Sequence, residues 1–263
     1  SYIKNLYISG EIVHHLIDVA SPKRQFTVAQ YKKRAQKALD DIYRRGKLPI
    51  ICGGTGQYID TLAYDLPIPN VKPNPALRKK LTNKTTRELF LMLKNLDVRR
   101  ARTIDSHNPR RLIRALEIVL TTGKPVPTLR HPGLDPGSDS FRHEGRNDKV
   151  LWLGLNPPRE KLYHNIHKRL LARMRRGMVA EVQKLKKNGI SSRRLQALGL
   201  EYRYINRYLE GRLSKQEMLE QLEREIRKYA KRQMTWFKRN QQMHWLKQKE
   251  KAHTLVRAFL AFD

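Results

Sequence analysis

Four consecutive segments constrain the fold most. Thr27 to Arg45 reads as an amphipathic helix: Thr27 and Gln30 have capping-box spacing, Val28, Tyr31, Ala35, Leu39 and Ile42 form an apolar stripe, and Gly46 supplies a left-handed stop. A short apolar run, Leu48-Pro-Ile-Ile-Cys52, comes next, then Gly53-Gly54-Thr55-Gly56, then Tyr58-Ile-Asp-Thr-Leu62. Helix, buried strand, glycine loop and helix is the grammar of an α/β protein. Pro67, Pro69, Pro73 and Pro75 punctuate an extended connector, beyond which short helices capped by Asn74, Thr86 and Asn108-Pro109 run to Gly123-Lys124-Pro125. This stretch reads as a small helical insertion.

Thr128 to Asp148 lacks apolar periodicity and reads as a mobile loop. Val150 to Leu155 reads as a buried strand, and Asn156-Pro-Pro158 leads into one helix lasting to about Lys187, with Leu162, Ile166, Leu170, Met174, Val182 and Leu185 inward. Ser214 and Glu217 form a capping box for a helix to about Arg239, whose inward stripe is Met218, Leu222, Ile226, Ala230 and Phe237. Met243 to Leu246 then resembles a strand, and Ala252 to Phe262 a terminal helix.

Charge narrows the partner. The 263 residues hold 55 Lys and Arg against 24 Asp and Glu, a formal +31, so an anionic partner is expected. With 39% hydrophobic residues the chain has enough apolar surface to fold. The single cysteine, Cys52, excludes an internally disulfide-stapled scaffold and favours a reducing compartment. No apolar run approaches the ~18 residues that span a bilayer, and the first residues lack a signal peptide's apolar stretch, so the cytoplasm is expected. The chain opens without an initiator methionine or a capped element and reads as a fragment. Nucleic acid is favoured over a membrane surface because the cations sit beside polar and aromatic groups on long helices.

Several constellations carry candidate chemistry. Gly53, Gly54, Thr55 and Gly56 lie between strand and helix, where free amides and the helix dipole favour a phosphate or diphosphate; a tight turn alone would also explain the glycines. The loop is not G-x-G-x-x-G, and no G-x-x-x-x-G-K-[ST] occurs anywhere, which argues against a nucleotide kinase. Arg110, Arg111 and Arg114 sit in the first turns of a helix, where cations oppose the dipole and hint at an external phosphate, exposed solubilising arginines being the plainer reading. The run Lys168, Arg169, Arg173, Arg175 and Arg176 is mostly a solvated face, with room for one or two side chains on a leaving diphosphate. Tyr229 to Arg239 joins cations to Tyr, Trp, Phe and an amide, a set suited to unpaired RNA, although one of Trp236 and Phe237 is expected in the core. Nine histidines show no zinc spacing, and no metal ligands are assigned.

The ordered set His14-His15-Leu-Ile-Asp18, Gly53-Gly-Thr-Gly-Gln-Tyr58, Asn108-Pro-Arg-Arg-Leu-Ile-Arg-Ala-Leu-Glu117 and Lys231-Arg-Gln-Met-Thr-Trp-Phe237 closely resembles the bacterial tRNA dimethylallyltransferase (IPP transferase) family. The likeness covers nearly the whole chain except Leu129 to Asp148. It implies transfer of a dimethylallyl group from dimethylallyl diphosphate to N6 of an adenosine beside the anticodon in tRNA, with Mg2+ sharing the diphosphate charge, by a monomer. It also implies a P-loop-kinase-like α/β core with a parallel sheet over residues 1–72 and 124–263, incomplete at its N-terminus. An inserted helical domain over 73–123 would clasp the anticodon stem-loop.

By the same likeness Thr55 lies in the reaction channel and Arg169, eight positions before Gly177, matches the diphosphate-binding arginine. Arg78, Arg110, Arg111 and Arg114, then Gln196, Gly199 and Glu201, then Lys231, Arg232, Gln233, Thr235, Trp236 and Lys238 match tRNA contacts. The family's P-loop, and the Asp-Ser motif after it that supplies the general base, would precede Ser1. A weakly active or inactive chain is therefore expected, and a non-catalytic tRNA-binding remnant is the rival reading.

Overall fold

A computed structural model describes residues 7–127, 140–143, 146–247 and 250–261. It begins with an antiparallel hairpin, β1 (Tyr7–Ser9) against β2 (Ile12–His14). Helix α1 (Val28–Arg44) has the expected capping box: the Gln30 N–H donates to Thr27 Oγ1 at 3.3 Å and the Thr27 N–H to Gln30 Oε1 at 2.9 Å. Ala35 and Leu39 from its stripe are buried with Leu62, Ala63 and Trp152. Leu48 to Cys52 is not the expected buried strand. No described strand runs beside it to pair its backbone, Pro49 has no N–H to offer, and Ile50 is 80% exposed. Helix α2 (Gly56–Ala63) follows the glycine loop.

Asp65–His131 forms one of two compact units. It holds α3 (Pro75–Thr82), α4 (Thr86–Leu96), α5 (Val98–Thr103) and α6 (Pro109–Thr122) around Leu81, Leu89, Leu93, Leu112 and Leu116. Asn74 and Asn108 cap α3 and α6 as read from the sequence, each followed by proline at the first helical position. Thr85, not Thr86, caps α4, its hydroxyl accepting the Glu88 N–H.

Ser1–Tyr64 and Pro132–Asp263 make the other unit. Within the expected loop, β3 (Ser140–His143) pairs antiparallel with β4 (Arg146–Lys149), so that part is a hairpin; the expectation for 128–139 lies outside the described residues. Then come β5 (Leu153–Leu155), α7 (Arg159–Arg175), α8 (Met178–Lys187), α9 (Ser192–Leu198), α10 (Leu200–Leu209), α11 (Lys215–Phe237), β6 (His244–Leu246) and α12 (Glu250–Ala261). The strand expected from Val150 is confined to Leu153–Leu155, paired parallel to β6. Among the described residues the fold is thus α/β in kind but dominated by helices, with three two-stranded sheets, of which β5–β6 is parallel.

Two details of this unit position the site. The helix expected from Pro158 to Lys187 is two helices, because Gly177 turns the chain at φ 89°. Its apolar spacing runs across the break, since Leu170, Met178 and Val182 enter the same core, and that continuity hides the turn. Helix α11 starts at the expected capping box and has 23 residues, about 35 Å of rise. Met218 and Leu222, fully buried, anchor its first half, which leaves the second half free to meet α2.

A methyl at Gly177 would meet no neighbour, so Gly177→Ala isolates the backbone term. It is expected to cost about 1 kcal/mol, read as a lower urea midpoint with an unchanged slope; an unchanged midpoint contradicts the left-handed turn.

Candidate functional site

The glycine loop is fastened to α11. The Gln233 amide Nε2 donates to the Gly54 carbonyl at 2.6 Å, and the Trp236 indole N–H donates to Asp60 Oδ2 at 2.7 Å. Asn240 Nδ2 donates to the Tyr64 hydroxyl at 3.2 Å, prolonging the seam. These contacts explain two of the glycines. A Cβ on Gly54 would stand 2.1 Å from Gln233 Nε2, and one on Gly56 2.0 Å from Trp236 Cδ1. Close approach of a helix sets the residue type here, since neither glycine lies at positive φ.

Thr55 occupies the N-cap position of α2, yet its side chain makes no capping bond. It is exposed, with its Oγ1 3.5 Å from the Tyr229 hydroxyl. Tyr229 belongs to the aromatic and basic run read from the sequence, but nothing in its spacing singles it out as the partner of Thr55. Arg232 lies over the Tyr229 ring at 5.8 Å and Arg239 over the Trp236 ring at 5.1 Å. Lys231, Arg232, Thr235 and Lys238 are exposed along this half of α11, while Gln233, Trp236 and Phe237 are half-buried. The Thr235 hydroxyl donates to the Lys231 carbonyl of its own helix. Thr55, Gly54 and Gly56 are thus brought together with Gln233 and Trp236, while Gly53, exposed, borders the same loop.

Arg169 is not part of that seam. It is exposed on α7, about 200° around the helix from His167. His167 is the side that meets α11, with Nδ1 2.8 Å from Glu223 Oε2, and Arg227 stacks on Tyr163 nearby. In the segment Gln196 to Glu201, the Gln196 carbonyl accepts two hydrogen bonds from Arg203, Gly199 is extended between α9 and α10, and Glu201 pairs with Arg173. Tyr202, next in sequence, donates to Glu181 at 2.6 Å, and burial together with that carboxylate pushes its hydroxyl up to about 12.

In the Asp65–His131 unit the arginines divide into two groups. Glu117 is fully buried and accepts from Arg78 through both oxygens, at 2.8 and 2.7 Å, from the Asn74 N–H at 2.7 Å, and from Arg114 at 2.6 Å. Arg114 also donates to the Val71 carbonyl at 3.0 Å. Burial pushes the Glu117 carboxyl up, but the bonds from Arg78, Asn74 and Arg114 outweigh it and hold it at about 2. Arg78 and Arg114 are thereby committed to an internal clamp, whereas Arg110 and Arg111 remain exposed. The clamp is invisible in the sequence because its carboxylate lies in the middle of an apolar helix face.

Among the described residues no group of three or more His, Cys, Asp or Glu converges, and the carboxylate nearest the glycine loop along the chain, Asp60, is engaged by Trp236. These residues do not fit a protein-held Mg2+. No helix among them is long and apolar enough to cross a membrane.

Residues 8–240 match the family model described as IPP transferase. A tRNA dimethylallyltransferase of Thermomicrobium roseum is 37% identical over 235 residues, covering 88% of this chain and 68% of the relative. A tRNA dimethylallyltransferase 2 of Treponema denticola is 38% identical over 238 residues, covering 90% and 76%. Among solved structures, the tRNA isopentenylpyrophosphate transferase of Bacillus halodurans superposes with a TM-score of 0.62 at 28% identity, over 97% of this chain and 80% of that one. That of Staphylococcus epidermidis gives 0.59 at 30%, over 92% and 80%. The chain belongs to the IPP transferase family, whose members are prenyltransferases.

Two substitutions test this geometry. Gly54→Ala displaces the Gln233 amide, with a stability loss of about 1 kcal/mol and Gln233 side-chain resonances moved to solvent-exposed positions; unmoved resonances contradict the fastening. Because the Glu117 carboxyl is held below its ordinary 4.5, the stability it confers is complete above that pH and is lost as pH falls toward about 2. Glu117→Gln should remove this acid-side slope and lower stability at neutral pH by about 3 kcal/mol, measured by denaturation across that range.

Proposed function

We propose that this chain transfers a dimethylallyl group from dimethylallyl diphosphate to N6 of the adenosine beside the anticodon of tRNA. The observation that carries this reading is the seam between the glycine loop and α11. It joins a loop suited to phosphate, presenting the exposed Thr55 hydroxyl, to a helix whose outer face carries Lys231, Arg232 and Lys238 beside aromatic rings. The relatives' names supply the reaction and the RNA class; the seam supplies a place where both substrates meet.

The chemistry is a substitution at carbon. The N6 lone pair forms a bond to C1 of the allyl group as the C1–O bond to diphosphate breaks, and N6 gives up a proton. Negative charge grows on the departing diphosphate, so donors fixed in advance around it lower the barrier more than they help the ground state. In this reading Gly53, Gly54 and Gly56 let backbone amides approach that group, Thr55 lines the channel, and Arg169 supplies a cation. Exposed Arg110, Arg111, Lys231, Arg232 and Lys238 hold RNA phosphates, with Gln196, Gly199 and Glu201 beside the RNA. Holding N6 in line behind C1 replaces an improbable encounter by a bound geometry. Mg2+ would be carried by the diphosphate oxygens and water, and no step is routed through it.

The sequence contains no G-x-x-x-x-G-K-[ST] loop and hence no Asp-Ser motif following one, so transfer by this chain is expected to be slow. Single-turnover incubation with dimethylallyl diphosphate and an anticodon stem-loop should add one dimethylallyl mass to the RNA. Thr55→Val should slow that step by ~10-fold, about 1.4 kcal/mol. Stem-loop binding with no mass gain selects the non-catalytic remnant; absence of binding removes both readings.

A further inference from the structure

Between residues 65 and 131 the chain has 15 Lys and Arg against 5 Asp and Glu. The structure shows where those five carboxylates go. Glu117 is clamped by Arg78 and Arg114, and Glu88 closes the capping box of α4. Asp97 spends Oδ1 on the Arg100 backbone N–H at 2.9 Å and Oδ2 on the Val126 N–H at 2.7 Å. Asp105 accepts the His107 N–H, and Asp65 has a partner of its own. Arg78 and Arg114 are therefore the two arginines of this unit that form an ion pair with a carboxylate among the described residues.

Arg100 is left in an unusual position. Its Nε is buried and has no hydrogen-bond partner. Burying a guanidinium donor without an acceptor is costly, and most such atoms in folded proteins are satisfied. A second cation is nearby: after burial, the neighbouring Arg111 guanidinium is the largest influence pulling Arg100 below its ordinary value, against the opposing pull of Asp97. Arg111 itself is exposed at the start of α6. Two guanidinium groups drawn together, one of them partly stripped of water, form a pair whose missing component is an anion with several acceptor oxygens. A phosphodiester meets that need, because guanidinium forks match phosphate oxygens in pairs.

We propose that Arg100 and Arg111 form a binding site for one phosphodiester of the RNA, and that Arg78 and Arg114 contribute none of this contact. This rests on the reading of the chain as an RNA-binding prenyltransferase and adds the residues of this unit that carry the backbone contact. Arg100 has no place in any of the motifs read from the sequence, where it is one of several arginines around α5.

The test is the salt dependence of anticodon stem-loop binding by the whole chain, followed by fluorescence anisotropy. Each phosphate that the protein ceases to neutralise lowers the slope of log K against log salt by about 0.7 to 0.9. Arg100→Gln with Arg111→Gln should flatten the slope by about one such step and weaken binding by ~10-fold at low salt. Arg111→Gln alone, at an exposed position that does not threaten folding, should give most of that change, and Arg78→Lys with Arg114→Lys should leave the slope as it is. An unchanged slope in both glutamine variants while the stem-loop still binds overturns the site and leaves the proposed function standing. Failure of the unaltered chain to bind the stem-loop removes both. Titration with inorganic diphosphate, followed at the Arg100 Nε–H resonance, separates the other phosphate source: a shift there with an unchanged RNA slope overturns the assignment to RNA.

Discussion

The hydrogen bond from Gln233 to the Gly54 carbonyl is the contact on which the candidate site depends. A glycine loop before a helix is by itself a common turn, and a basic helix is by itself a solvated surface. The bond makes one object of them. Its second fastening, from Trp236 to Asp60, lies on the same side of α11 one turn further along, so that the helix grips both the loop and the helix that follows it. The geometry leaves the Thr55 hydroxyl facing outward near Tyr229 instead of capping α2. Prenyl transfer to RNA needs such an arrangement, because the two reactants differ in size and charge and must meet at one carbon atom.

Much of this is legible in the sequence where local chemistry decides the outcome. The capping boxes at Thr27–Gln30 and Ser214–Glu217, and the Asn-Pro starts of α3 and α6, form as read, because each is settled within four residues. The α/β character and the family are also readable, the latter from four motifs in order. What fails is decided at longer range. Leu48 to Cys52 has the composition of a strand, but a strand exists only with a neighbour to pair its backbone. The apolar spacing from Leu170 through Val182 conceals the break at Gly177, because both helices feed one core.

The site divides along the same line. Composition marks the glycine loop and the aromatic, basic end of α11 as candidates, yet their contact spans about 180 residues of sequence and no periodicity reports it. The arginines show the limit most clearly. Arg78, Arg110, Arg111 and Arg114 look alike as letters, but two of them close on the buried Glu117 and two stand in solvent. A carboxylate in the apolar stripe of a helix is the one local sign of such a clamp, and Glu117 followed by Ile118 and Val119 carries it. Arg100 gives no sign at all until the burial of its Nε is seen.

Amide hydrogen exchange over Gly53 to Tyr58, compared between the unaltered chain and Gln233→Ala, measures most directly whether α11 holds the loop. If it does, loss of the Gln233 amide should speed exchange throughout these residues while Met218 and Leu222, in the first half of the same helix, keep their protection. Equal exchange in the loop of both proteins would mean that the loop stands unaided, and the joining of the phosphate and RNA surfaces through α11 would be wrong.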